Sequence, residues 1–335
     1  MADQAVDIDD VFIYRGGKVP QHVKNAIIHH SVKKVEKEAF ALGDGTDNEN
    51  EGSDVGAEIE SVIFHDEVEE IDVCAFGRCT NLSSLKLPGV RRIKGFAFRV
   101  CTGLRDVEFG DNLHTIERYA FHKCTNLRSL TALSVQTICE RAFLECSRLT
   151  DAVFGEELDS LGVGAFEDCE SLQRIAIPLK VGLFVPDWVY DGRHAQFDGC
   201  VNLERVDLVG GVHKTVASLH HESWRSEMRE VINFINRLLP NTSADEKGDQ
   251  INIWMTHVTI TLERLKAKHM ELLQEATTLL ELALWEAKLS EKEENCAGGR
   301  TKKARVDVDC RRKEKRITSG ANTVIKNVLP FLQLG

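Results

Sequence analysis

Residues 75–82 read AFGRCTNL, and the phrase returns as AFRVCTGL at 97–104, AFHKCTNL at 120–127, AFLECSRL at 142–149, AFEDCESL at 165–172 and QFDGCVNL at 196–203. Its phenylalanines, Phe76, Phe98, Phe121, Phe143, Phe166 and Phe197, are spaced 22, 23, 22, 23 and 31 residues apart. Self-similarity at such a period marks a solenoid: one short unit cannot bury its apolar face alone and does so by stacking on copies of itself. The stack leaves an extended outer surface, which favours binding over catalysis.

Each copy continues with apolar residues in alternation, as in Leu82, Leu85 and Leu87, followed by Val90 and Ile93. Residues two apart on a strand share a face, so Leu85 and Leu87 point inward while Ser84 and Lys86 point outward. The same rule predicts the outward pairs Asp106/Glu108, Ser129/Thr131, Asp151/Val153, Arg174/Ala176 and Arg205/Asp207. This mixed row lacks the interleaved basic and aromatic residues of a nucleic-acid track and suits a protein partner. Its candidate contacts are Lys86, Glu108, Thr131, Arg174, Arg205 and Asp207; the plainer alternative is a solvated sheet face.

The last copy is lengthened by PLKVGLFVPDWVYDGRHAQ, residues 178–196. Its Phe184, Trp188 and Tyr190 are candidate anchors for a partner, because large rigid aromatic side chains dominate binding hot spots. The competing reading is a cap folded over the solenoid end.

Six of the ten cysteines, Cys79, Cys101, Cys124, Cys146, Cys169 and Cys200, fall at one repeat position. They read as a buried column of small apolar residues. Zinc takes close ligand pairs, and the nearest cysteines are Cys74 and Cys79, so no metal and no cofactor is expected. Asp47, Glu49, Glu51, Gly52, Ser53 and Glu58 match a calcium-loop template in part, but the flanks read as strands and an accidental match in an acidic loop is the better account. Phosphate-cradling, serine-nucleophile and zinc-protease motifs are all missing, which argues against an enzyme.

Beyond residue 215 the period changes. Trp224, Met228, Val231, Ile235 and Leu238 mark one helix face ending at Pro240, and Asn241–Gly248 reads as a polar turn. A heptad seam follows through Ile251, Met255, Val258, Leu262, Leu265, His269, Leu272, Ala276, Leu279 and Ala283, with His269 as a core histidine. A short linker between two helices predicts an antiparallel hairpin. Between Arg300 and Arg316 nine Lys or Arg face three acidic residues, loosely like a bipartite nuclear localisation signal.

The chain has 335 residues, 42% of them hydrophobic, and a formal net charge of −11, which disfavours nucleic acid as a whole-chain partner. It shows neither a secretory signal pattern nor a run apolar enough for a membrane span, so a cytoplasmic setting with reduced thiols is expected. The divisions predicted are an N-terminal cap and degenerate first repeat around Phe40 (1–40), an acidic insertion (41–61), the solenoid (62–215), a helical region (216–294) and a basic segment with a terminal apolar run (295–335).

Ala-Phe-x-x-Cys-x-x-Leu followed by Leu-x-Leu-Pro resembles the BspA-type leucine-rich-repeat family over roughly residues 20–215. The flanks, FIYRGGKVP, ESWRSEM, LLQEATTLLELALWEAK and VIKNVLPFL, resemble the repeat proteins expanded in unicellular algae such as diatoms. The resemblance implies an α/β repeat fold, here a leucine-rich-repeat solenoid with a C-terminal helical hairpin, and a role in protein contacts; it carries over no catalytic or ligand residue. The expected function is a non-catalytic protein-interaction scaffold. The alternative is a structural oligomer assembled through the 251–284 helix, followed by a nuclear adaptor addressed by the basic segment.

Overall fold

The computed structural model describes residues 11–41, 57–189 and 192–297. Tyr190, most of the acidic insertion with its calcium-loop residues 47–53, the basic segment 300–316 and the terminal apolar run lie outside the described residues.

Alternating residues form one main strand per coil: β1 (Val11–Tyr14), β2 (Asn25–Ile28), β4 (Ser61–Ile63), β6 (Ser84–Leu87), β8 (Asp106–Phe109), β10 (Ser129–Ala132), β12 (Asp151–Phe154), β14 (Arg174–Pro178) and β15 (Arg205–Val209). The six coils from β2 to β12 each then turn and add a two-residue strand: β3 (Lys34–Val35), β5 (Glu70–Ile71), β7 (Arg92–Ile93), β9 (Thr115–Ile116), β11 (Thr137–Ile138) and β13 (Ser160–Leu161). The short strands make one six-stranded ladder, while the main strands form sheets in the orders β1-β2-β4, β6-β8 and β10-β12-β14-β15. Pairing is parallel and in phase, as in Lys86 opposite Glu108 and Ile93 opposite Ile116. In-phase pairing puts like residues in columns, which is how a repeated sequence becomes a core.

The phenylalanine column is the clearest case. Phe40, Phe76, Phe98, Phe121, Phe143, Phe166 and Phe197 stack at centroid distances of 4.4, 5.2, 5.1, 5.2, 5.3 and 6.0 Å, with planes within 16° of parallel. Each stacked pair contributes about 0.5–1.5 kcal/mol beyond its buried area. Tyr14 closes one end at 5.4 Å from Phe40, and Phe184 closes the other, edge-on to Phe197 at 5.7 Å. The Cys-less first repeat around Phe40 is thus a full member of the stack.

The repeat cysteines form a second column. Each thiol donates to the carbonyl of the phenylalanine one coil back, from Cys101 to Phe76 at 3.1 Å through Cys200 to Phe166 at 3.0 Å. The connecting turns place two residues per coil in the left-handed region: Cys74, Phe96, Tyr119 and Arg141 before the Ala-Phe pair, and Arg78, Val100, Lys123, Glu145 and Asp168 after it.

Three helices follow, α1 (Val212–Ala217), α2 (Glu222–Leu238) and α3 (Lys247–Ala297). The chain forms two compact units: residues up to His213 with Val231–Thr259, and Lys214–Glu230 with the residues from Ile260 onward. In the first unit the side-chain carbonyl of Asn236 accepts from the Val206 amide at 2.8 Å, and the Trp254 indole donates to the Val231 carbonyl at 2.8 Å. Gly248 lies so close to His194 that a Cβ there would stand 1.7 Å from its carbonyl oxygen. The polar turn expected at 241–248 is therefore shorter, because α3 already begins at Lys247.

In the second unit α2 and α3 run antiparallel: Glu227 pairs with Arg264, and Trp224 lies 6.5 Å from the buried His269. Of the expected seam, Ile251, Met255, Val258, Leu262, Leu265, His269 and Ala276 are buried and Leu272 is half-buried, but Leu279 is exposed. The reason is length: α2 begins at Glu222, two residues before Trp224, whereas α3 runs another 28 residues past His269.

Candidate partner-binding surface

The outward row stands where the alternation placed it, and register fixes its order. Lys86 lies opposite Glu108, Thr131 opposite Val153, Arg174 opposite Arg205 and Asp207 opposite Ala176. Ala176 departs from expectation, being only 1% exposed. Its single methyl lies below the level of the longer side chains around it, so this coil offers Arg174 alone.

The row's charges are largely satisfied among themselves. Lys86 meets Glu108 at 2.9 Å. Arg174 donates to both carboxylate oxygens of Asp151 at 3.0–3.1 Å and to Asp207 at 2.6 Å, and Arg205 adds further bonds to Asp207. Burial pushes the Asp207 carboxyl up, but hydrogen bonds from Arg205 and Arg174 outweigh it and hold the group below its ordinary range. The Asp207 and Asp151 hydrogen bonds hold the Arg174 guanidinium protonated. An Asp–Arg–Asp–Arg chain of this kind stiffens the face and leaves hydrogen-bonding edges for a partner.

The 178–196 loop separates into two functions. Phe184 is only 2% exposed and packs on Phe197, so it belongs to the core and is withdrawn as a surface contact. Gln196, standing where other copies carry Ala, donates to the Val185 carbonyl at 2.6 Å and ties the loop down. Beyond that tie, Asp187 and Arg193 close a turn, with the Asp187 amide donating to the Arg193 carbonyl at 2.8 Å. The Asp187 side chain accepts from the Val189 amide at 2.9 Å. Trp188 and Val189 are held outside the turn at 82% and 83% exposure.

The repeat thiols offer no nucleophile. Burial pushes Cys101 and Cys200 up to about 12 and raises Cys79, Cys124 and Cys169 as well. Among the described residues no group of three or more His, Cys, Asp or Glu is placed to hold a metal ion, and no helix is long and apolar enough to cross a membrane.

In-phase parallel coils, a phenylalanine stack and an outward strand row define a leucine-rich-repeat solenoid. The BspA type leucine rich repeat family model matches the repeat region of the chain in six copies, over residues 55–173 and 115–220. Similar solved structures include a T. pallidum leucine-rich-repeat protein (33% identity, 42% of this chain, 64% of that one, TM-score 0.38). Another is a leucine-rich-repeat protein from Bacteroides ovatus (26% identity, 50% of this chain, 40% of that one, TM-score 0.40). The chain thus spans less than two thirds of either relative. No curated protein matches it.

Proposed function

We propose that the chain is a non-catalytic protein-interaction scaffold that takes a protein partner on its strand row and on the Trp188–Val189 tip. A leucine-rich-repeat fold is suited to protein interaction. The observation that carries the reading is the tip itself, where two large apolar side chains are held out by a closed turn, while Phe184 of the same loop is buried in the stack. Surface-held tryptophan is the residue type on which binding energy concentrates. The absence of an activated thiol and of a metal-holding cluster among the described residues fits a role without chemistry. A cytoplasmic or nuclear setting belongs to the same proposal.

The test is capture of partners from native cell extract by the full chain and by Trp188→Ala. The variant should lose the specifically held proteins, with affinity for a purified partner falling at least about tenfold, while the melting temperature stays unchanged. Equal capture by both proteins would remove the tip from the proposal.

A second reading, self-association through α3, rests on the exposure of Leu279, Leu282, Trp285 and Leu289. Ile251, Met255, Val258 and Leu265 are buried within the chain, which narrows that surface to the outer part of the helix. Sedimentation of the full chain against Leu282→Glu decides it: a monomer in both cases ends the idea.

A further inference from the structure

The outward row has a beginning that the repeat pattern does not announce. On the first three main strands, Ile13 lies opposite Ile27 and Ile27 opposite Ile63, at 52%, 36% and 54% exposure. Parallel strands stand about 4.8 Å apart, so three β-branched side chains make an apolar ridge of about 10 Å. In the parallel row beside it, Asn25 and Ser61 bond to each other at 2.7 Å and leave further polar capacity facing out.

At the carboxyl ends of the same strands sits a basic rim. Arg15 follows β1, His29 and His30 follow β2, and His65 follows β4 by two residues. The His29 and His30 rings are 4.0 Å apart, and His29 Nδ1 lies 2.8 Å from Ser31 Oγ. His65 stands between two acceptors, with Nδ1 at 2.8 Å from Glu67 and Nε2 against the Ile28 carbonyl. Burial lowers His29, and the charges of Arg15, His30 and His65 lower it further, so a positive charge on this ring is disfavoured until an anion binds beside it. Two anions near the rim are already engaged, Glu67 by His65 and Glu36 by the Gly17 amide.

We propose that the Ile13–Ile27–Ile63 ridge, with the rim of Arg15, His29, His30 and His65, docks an aliphatic peptide segment that carries carboxylates. The ridge takes the aliphatic side chains, Asn25 and Ser61 meet peptide amides, and the rim meets the carboxylates. Binding tightens as pH falls, because each protonated imidazole adds a charge of the sign that attracts the partner and a bound carboxylate relieves the crowding of cations. This rests on the strand row being a recognition face, and it places one partner chemistry at one end of it.

The experiment uses the full chain and dye-labelled peptide pools read by fluorescence anisotropy. One pool alternates aliphatic residues with Glu, the second replaces Glu by Lys, and the third replaces the aliphatic residues by Ser. The Glu pool should bind, several-fold tighter at pH 5.5 than at pH 7.5, and the other two should not. Ile63→Asn and Arg15→Glu should each weaken it about tenfold with no change in melting temperature, while Trp188→Ala binds as the parent does. Equal binding of the pools, no binding of the Glu pool, or indifference to both rim and ridge variants overturns the proposal. So does preferential binding to anionic phosphatidylglycerol vesicles. Failure here together with loss of captured proteins by Trp188→Ala leaves the scaffold reading standing; success here together with indifference to Trp188→Ala removes only the tip.

Discussion

The ammonium of Lys247 donates to the carbonyl of Cys200 at 2.9 Å, and also to those of Val201 at 2.8 Å and Leu203 at 2.9 Å. In two earlier coils the carbonyl after the repeat cysteine is met by an asparagine of the next coil: Thr102 by Asn126 at 2.6 Å, and Glu170 by Asn202 at 2.8 Å. After the last coil there is no next asparagine, and the first residue of α3 supplies the donor instead. Burial holds this ammonium below the ordinary lysine range, so the contact works against desolvation and depends on all three acceptors.

Lys247→Met should therefore lower stability by about 2–4 kcal/mol, since it leaves the Val201 and Leu203 carbonyls without a donor, while that of Cys200 keeps the Leu203 amide. Thermal unfolding followed by circular dichroism would show the loss. An unchanged melting temperature would mean that water reaches the last turn and that the lysine is dispensable.

Asp198 predicts a pH dependence. One carboxylate oxygen is paired with Arg193, while the other is buried and without a hydrogen-bond partner. Burial pushes this carboxyl up to about 6; Arg193 opposes the shift, and Glu167, Asp245 and Asp249 add to it. The unfolded chain titrates near 3.9, so the folded chain holds the extra proton between the two values. The group's contribution is full below about pH 4 and is lost as pH rises through about 6. Asp198→Asn should flatten the melting-temperature profile between those limits and raise it at pH 7.5. A profile parallel to the parent's would contradict the assignment.

Position in the stack should separate two aromatic residues of similar size. Phe121 is sandwiched between Phe98 and Phe143, so Phe121→Ala should cost about 3–5 kcal/mol. Trp188→Ala touches no packed neighbour of that kind and should stay within about 0.5 kcal/mol. Urea unfolding of both variants measures the difference.

Thiol reactivity should follow burial. The six repeat cysteines are fully buried and should stay silent toward an aromatic disulfide reagent until the chain unfolds, whereas the partly exposed Cys74 and Cys139 react first. Rapid native labelling of Cys124 or Cys169, located by peptide mapping, would show that the stack opens locally.

Much of this architecture was legible because it is written six times. Alternation at Leu85 and Leu87, the common cysteine position and the phenylalanine period each state one physical fact repeatedly, so chance departures such as Gln196 do not obscure it. What escaped had only one copy. Phe184 and Trp188 look alike on paper, four residues apart on an aromatic loop, and only packing against Phe197 separates core from surface. Lys247 sits in a polar stretch where nothing local marks it for burial. The isoleucine ridge was hidden because 36 residues separate Ile27 from Ile63, so alternation could not be carried across the acidic insertion. Beyond Ala276 the heptad spacing reports a face able to pack and not whether a partner helix of the same chain reaches it.

The reach of the thiol hydrogen bonds bears on how the chain is made. From Cys101 to Cys200 each closes on a carbonyl that lies earlier in the sequence, 25 to 34 residues back. During synthesis the acceptor has already left the ribosome when its cysteine emerges, so winding can keep pace with elongation and advance one turn at a time. The final turn is the exception: the carbonyl of Val201 must wait 46 residues for the ammonium of Lys247. A nascent chain halted in that interval would carry a wound but unsealed end, which makes it the interval in which a chaperone or a neighbouring nascent chain would have most to hold.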